Sequence, residues 1–123
     1  MTKYKTQNFR STFSNARKGM RLTIKSERNI RIHFLAGALA LFSGYWLHFT
    51  RIEFCILFLA ISIVIISEML NSAIEFSLDA IYHNKYSKMV GMAKDIAAGA
   101  VMVATITAVI FGLLLFVPAI LSL

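Results

Sequence analysis

The sequence predicts an all-α integral membrane protein, with one amphipathic surface helix followed by three membrane-spanning helices. Apolar residues make up 58% of the 123 positions and charged residues only 15%, and the mean hydropathy is +0.68. A soluble domain of this length buries too little surface to hide so many apolar side chains. Charged residues are also absent from three long stretches, 32–50, 54–67 and 96–123. We therefore expect residues 1–123 to form a single membrane domain.

Residues 8–28 have the pattern of an amphipathic helix that lies in the membrane surface. Apolar side chains recur at intervals of three or four along one face, and basic side chains gather on its flank. Glu27 follows Phe9 by five full turns, so we expect it in the centre of the apolar stripe. An acid there should face other protein, a metal or a polar cavity. The alternative is an ion pair with Arg31, four residues further on.

The three spanning helices are expected at about 32–50, 53–82 and 93–118. Each stretch approaches or exceeds the roughly 20 residues that a spanning helix needs. The second of them must take Glu68 into its inner portion. A carboxylate at membrane depth costs about 2.5–3.5 kcal/mol at a helix centre on insertion scales, so its presence indicates a functional site.

The distribution of Lys and Arg predicts the orientation, because both residues are enriched in cytoplasmic loops. Residues 1–31 hold nine of them and one acid, and the second loop adds Lys85, Lys88 and Lys94. The N-terminus and this loop are therefore expected in the cytoplasm, and the C-terminus outside. The net charge of +7 suits anionic headgroups and an anionic substrate such as a nucleotide. No nucleic-acid-binding fold is visible, so we expect no nucleic-acid partner.

A polar stripe is predicted along the inner half of the second span, where five polar residues fall within about 60° of one line. They are Glu68, Asn71, Ser72, Glu75 and Asp79. A carboxylate near the interface can bind a hard cation, and a deeper, partly desolvated one can accept a proton. The alternative is a polar seam between helices of an oligomer, although Ser, Thr or Asn would form one at lower cost.

Lys94 and Asp95 are expected at the cytoplasmic end of the third span, at the depth of Glu75 and Glu27. A lysine there can hold a phosphate as a point charge, or it can be a simple interfacial anchor. Carboxylates for Mg²⁺, a lysine for phosphate and a buried base are the groups that phosphoryl transfer requires. The chain contains neither a P-loop nor a kinase glycine loop, so any nucleotide site must be of another kind.

Three sequence blocks resemble the small bacterial diacylglycerol kinase family. Residues 68–79 are similar to its E-x-x-N-[ST]-A-I-E-x-x-x-D signature, and residues 93–101 to its A-K-D-x-A-A-G-A-V block. Residues 27–33 resemble the E-R-N-x-x-x-H element of the Gram-positive branch, whose members act chiefly as undecaprenol kinases. The resemblance covers roughly residues 13–118, with the blocks in the family's order and spacing.

The resemblance implies a homotrimer in the bacterial cytoplasmic membrane, with active sites shared between subunits on the cytoplasmic side. It implies Mg²⁺-dependent transfer of the ATP γ-phosphate to a lipid alcohol, either undecaprenol or diacylglycerol. By position, Glu68 resembles the catalytic base, and Glu27 and Glu75 resemble the Mg²⁺ ligands that also contact the nucleotide. The remaining residues implied to contact the nucleotide are Asn15, Lys85, Tyr86, Ser87, Lys94 and Asp95; Asn71 and Asp79 are implied to support the site. Asn15 stands where the family often has Tyr or His.

A second class of function is a small proton-coupled transporter subunit that uses Glu68 as its membrane carboxylate. Such a protein needs neither the Lys94–Asp95 pair nor the Glu27–Glu75 pair. Nucleotide dependence separates the two classes.

Overall fold

The computed structural model describes residues 8–123, which form four α-helices in series. They are α1 (Phe9–Ser26), α2 (Arg28–Trp46), α3 (Arg51–Tyr82) and α4 (Lys88–Leu121). The all-helical architecture predicted from the sequence is confirmed. Helices α3 and α4 form the main packed pair, α2 lies against α3, and α1 makes a smaller contact with α2. The basic positions Lys3 and Lys5 lie outside the described residues.

Two helices of the described part of the chain, α3 and α4, are long and apolar enough to cross a membrane. Helix α2 is shorter, and its first two turns carry Arg28, Asn29, Arg31 and His33. These polar residues lower its average hydropathy below that of the other two helices. A third span formed by α2 therefore stays a prediction.

The first helix ends earlier than predicted, at Ser26 rather than at residue 28. Glu27 has extended backbone angles (φ −114°, ψ 111°) and joins α1 to α2. The guanidinium of Arg31 donates from Nη1 to the carbonyls of Ile24, at 2.9 Å, and Lys25, at 3.0 Å. These bonds satisfy carbonyls that a helix end leaves without partners. The prediction that Glu27 lies within α1 is wrong, because the helix ends at Ser26 and Glu27 is its C-cap; its place in the apolar stripe stays a prediction.

The ion pair between Glu27 and Arg31, the alternative for this segment, is also not found. The ion pairs among residues 8–123 are His33–Glu68 and Lys94–Asp79. Arg31 bonds main-chain carbonyls instead, which leaves the Glu27 carboxylate available for another partner.

Side-chain caps explain why α3 and α4 begin before the predicted positions, 53 and 93. Thr50 and Glu53 form a capping box, so α3 begins at Arg51. The Ser87 hydroxyl accepts from the backbone N–H of Val90 at 3.1 Å, so α4 begins at Lys88. Helix α4 also continues past Pro118 to Leu121, although proline has no N–H to donate to the carbonyl four residues earlier.

The best-packed part of the core lies at the end of the bundle that carries the α2–α3 loop. Phe49, Leu57 and Leu115 are buried together there, and the Phe49 ring lies 5.0 Å from that of Phe116. Gly44 permits this packing, because a Cβ at that position would lie 2.8 Å from the Phe49 ring. The opposite end of the bundle, beside the α3–α4 loop, carries Asp79, Lys94 and Asp95.

Candidate functional site

The polar stripe lies on one uninterrupted helix, α3, so the spacing predicted from the sequence is retained. At about 1.5 Å per residue, Glu75 lies ~10 Å along the axis from Glu68, and Asp79 lies a further ~6 Å on. Ser72 is buried, and Asn71, Glu75 and Asp79 are half-buried. The stripe therefore places carboxylates at successive positions along α3, from Glu68 toward the α3–α4 loop.

Glu68 is paired with His33 of α2. The His33 Nε2 lies 3.3 Å from Glu68 Oε1, and the side chains are 29% and 13% exposed. An ionised carboxylate only accepts hydrogen bonds, so His33 donates from Nε2 when Glu68 is charged. The sequence indicated no role for His33, although it lies in the E-R-N-x-x-x-H element. The contact depends on the register of α2 against α3, which periodicity within one helix does not specify.

Asn71 has one oxygen that lacks a hydrogen-bond partner. Its Nδ2 donates to Glu75 Oε1 at 3.4 Å, whereas its buried Oδ1 accepts no hydrogen bond among the described residues. Leaving such an acceptor unsatisfied costs about 1–3 kcal/mol. A hydrated cation or a substrate hydroxyl beside Glu75 would satisfy this oxygen.

A polar cavity of about 220 Å³, here called the loop pocket, lies beside the α3–α4 loop. Its lining residues are Asp79, Asn84, Lys85, Tyr86, Val90, Gly91, Lys94 and Asp95. Five residues implicated by the sequence come together there: Asp79, Lys85, Tyr86, Lys94 and Asp95. The Lys94 Nζ donates to Asp79 Oδ1 at 2.7 Å. The ammonium group of Lys94 is thus held in place at the wall of an open cavity.

Gly91 leaves room for the Tyr86 ring, which lies against it in the lining of the loop pocket. A Cβ on Gly91 would lie 3.1 Å from Cε2 and 3.3 Å from the hydroxyl of Tyr86. Ser87, which the sequence placed among nucleotide contacts, instead has its hydroxyl bonded to the first turn of α4. Its observed role is to cap that helix.

The remaining predicted residues lie away from the loop pocket. Glu27 is at the α1–α2 junction, and Asn15 is on α1 with an exposed side chain. Within residues 8–123 no three His, Cys, Asp or Glu side chains gather in a group able to hold a metal. Mg²⁺ often binds through one or two carboxylates together with phosphate oxygens, so this finding leaves the Glu27–Glu75 pair a prediction.

These features describe an all-helical chain with two helices long enough to cross a membrane, a histidine-paired carboxylate, and a pocket lined by two lysines and two aspartates. Comparison with known proteins identifies the class further. The family described as prokaryotic diacylglycerol kinase matches residues 14–116, and the chain belongs to this family. It is a lipid kinase, and this family implies ATP as its phosphate donor and the membrane as its location. The transporter alternative is thereby set aside.

The chain is similar to family members that are named after two different lipid substrates. It is 38% identical over 110 residues to undecaprenol kinase of Bacillus subtilis, and the alignment covers 89% of each chain. It is also 38% identical to diacylglycerol kinases of Synechocystis, over 112 residues, and of Escherichia coli K12, over 93 residues. These alignments cover 64% of the Synechocystis protein, less than two thirds of its length, and 75% of the Escherichia coli protein.

Proposed function

We propose that this protein transfers the γ-phosphate of ATP to the terminal hydroxyl of undecaprenol and so makes undecaprenyl phosphate. The observation that carries the proposal is the arrangement on α3 and its neighbours. A largely buried carboxylate, Glu68, lies within the long apolar helix α3, and the same helix leads to the pocket that holds Lys94. The match to the undecaprenol kinase of Bacillus subtilis over 89% of both chains favours this lipid.

In the proposed reaction, Glu68 is the general base. The lipid hydroxyl oxygen forms a bond to the γ-phosphorus, and the bond from that phosphorus to the β–γ bridging oxygen breaks, releasing ADP. The hydroxyl proton passes to Glu68. An alcohol is a poor nucleophile at neutral pH, and a positioned base contributes about 10²–10⁴-fold. Glu68 is 13% exposed, so most of its surface is removed from water while part of the carboxylate remains accessible, which supports this role.

The loop pocket is proposed to bind the nucleotide. Lys94 would neutralise phosphate charge, while Asp79 holds the ammonium group in position through their 2.7 Å contact. Lys85, Tyr86 and Asp95 line the same cavity and would contact the nucleotide directly. Ser87 would contribute through its backbone and by fixing the start of α4. Asn15 would approach the nucleotide from α1.

Mg²⁺ is proposed to bind Glu27 and Glu75, and the oxygen chemistry present fits this ion. Carboxylates are the ligands that Mg²⁺ prefers, and Mg²⁺ keeps several waters, one of which could satisfy the unpaired Asn71 Oδ1. The bound ion would supply charge neutralisation between the β- and γ-phosphates. Glu75 accepts from Asn71 Nδ2, so its orientation is already restricted.

We further propose that the protein works as a homotrimer with active sites shared between subunits. Large apolar side chains along α3 and α4, including Phe58, Leu59 and Ile106, are exposed in a single chain. Neighbouring subunits and lipid would cover them.

The proposed setting is the bacterial cytoplasmic membrane, with α2, α3 and α4 as three spans. Helix α2 supports its place as a span because Leu35, Leu39 and Phe42 are exposed along it. The N-terminus and the loop pocket would face the cytoplasm, where ATP is available, and the C-terminus would be external. The excess of basic residues in 1–31 supports this orientation.

Diacylglycerol is the second candidate substrate, favoured by the relatives in Synechocystis and Escherichia coli. Both lipids present a hydroxyl beside long apolar chains. The deciding experiment offers ATP labelled at the γ-phosphate with each lipid alone, and then with both in equal amounts. The proposal predicts labelled undecaprenyl phosphate as the main product. Preferential labelling of phosphatidic acid would reverse the order of the two lipids.

A further inference from the structure

His33 makes a polar contact between helices that packing alone does not require. It is half-buried on α2, and its Nε2 reaches across to the proposed base on α3 at 3.3 Å. This contact joins two separate helices. The neighbouring contact from Asn71 to Glu75 lies within one helix, whereas the Lys94–Asp79 contact joins α4 to α3.

His33 also lies at one end of an apolar cleft of about 370 Å³ between α2, α3 and α4. Small residues from all three helices line it, among them Ala36, Gly37, Ala60, Ala108 and Gly112. His33 and Thr105 are its polar lining residues. The lining on α3 extends from Leu57 to Val64, one turn before Glu68, so the cleft leads toward the base. The same histidine therefore contacts the carboxylate and the apolar space beside it.

We propose that His33 is a positioning residue for phosphoryl transfer: its Nε2–H fixes one Glu68 oxygen and directs the other to the lipid hydroxyl at the end of the apolar cleft. This inference rests on the proposed role of Glu68 as base. A Glu side chain has three rotatable bonds, so an unrestrained Glu68 would occupy productive geometry for only a fraction of the time. A hydrogen bond from His33 restricts that freedom without removing the acceptor that takes the proton.

Two properties of the His33 side chain, its hydrogen-bond donor and its aromatic ring, can be tested separately. Its donor at Nε2 is needed, whereas its aromatic ring is not. Glutamine places an amide donor at a similar distance from the backbone and can still bond a carboxylate. Leucine fills a similar volume but cannot donate. Hydrogen-bond partners that orient metal ligands typically contribute about 10–100-fold to activity. We expect a loss on the same scale when leucine removes the partner that orients the base.

The test compares His33→Leu and His33→Gln, each alone and combined with Glu68→Gln, as purified full-length protein in lipid micelles. Thr107→Val is the matched control, because the Thr107 hydroxyl bonds only its own helix, at Val103. We expect His33→Leu to lower kcat about 10–100-fold with the KM for ATP changed less than about twofold. His33→Gln should recover most of the rate, and Thr107→Val should remain active. In the Glu68→Gln background, His33→Leu should cost little more, because the partner it acts through is already lost.

Several outcomes would overturn the inference. One is an unchanged kcat in His33→Leu; another is an equal loss in His33→Gln and His33→Leu with matching falls in thermal stability, which indicates a structural contact. A full additional loss in the Glu68→Gln background would also overturn it. If residual turnover in that background is below detection, the comparison of glutamine with leucine decides alone. Normal turnover in Glu68→Gln itself would instead refute the proposed function, so the two failures are distinguishable.

Discussion

Substitution of Lys94, which pairs with Asp79, should change the activity of the protein much more than its stability. The two side chains meet at 2.7 Å but are 36% and 37% exposed, so water screens their attraction. Exposed pairs of this kind contribute about 0–1 kcal/mol to stability. Lys94→Met should therefore lower the free energy of unfolding by no more than about 1 kcal/mol. Removing a preorganised donor from a developing phosphate charge should cost much more, about 10²–10³-fold in kcat.

The assay measures thermal unfolding in micelles together with kcat and the KM for ATP. Lys88→Met is the control, since Lys88 is an exposed residue at the start of α4 that does not line the loop pocket. Asp79→Asn should give a smaller loss, about tenfold, because Lys94 keeps its charge and loses only its positioning partner. If Lys94→Met keeps its rate and ATP affinity, Lys94 is an interfacial anchor. If stability falls by several kcal/mol instead, the pair is structural.

Two further predictions concern the metal and the surface helix. Glu75→Gln and Glu27→Gln should each nearly abolish Mg²⁺-dependent turnover, because an amide is a poor Mg²⁺ ligand. The oligomer should stay intact on a size-exclusion column. Near-normal activity in either variant would remove that residue from the metal site. Phe13, 61% exposed on α1, should insert into the headgroup layer, so Phe13→Asp should reduce activity and a cysteine placed at residue 13 should label slowly from water. Rapid labelling with full activity in Phe13→Asp would show that α1 is dispensable.

The helical segments and the polar stripe could be predicted from the sequence, because both depend on periodicity within one segment. The apolar runs indicated the helices, and Glu68, Asn71, Glu75 and Asp79 share a face whenever that segment is helical. The grouping of Lys94 with Lys85 and Tyr86 was implied only by the family resemblance, and the loop pocket brings these residues together. The short loop, with its left-handed residues His83 and Asn84, turns the chain sharply enough for this to happen.

Features that depend on contacts between segments could not be predicted in this way. The break at Glu27 is invisible in the pattern of residues 8–28, because it depends on Arg31 reaching back to the carbonyls of α1. The His33–Glu68 contact depends on how α2 docks on α3. The start of α4 is different: Ser87 is a recognisable cap residue, and its position six residues before 93 was a local signal available in the sequence.

Glu68→Gln provides the most direct test of the account, because the proposed chemistry requires a base at this position. The measurement is the turnover number for phosphate transfer from ATP to undecaprenol, determined beside the dissociation constant for ATP in the same preparation. Glutamine can still hydrogen-bond the lipid hydroxyl but cannot take its proton. The account predicts a fall in kcat of about 10²–10⁴-fold with ATP affinity nearly unchanged. Persistent turnover, or a loss of ATP binding in proportion to the loss of rate, would contradict it.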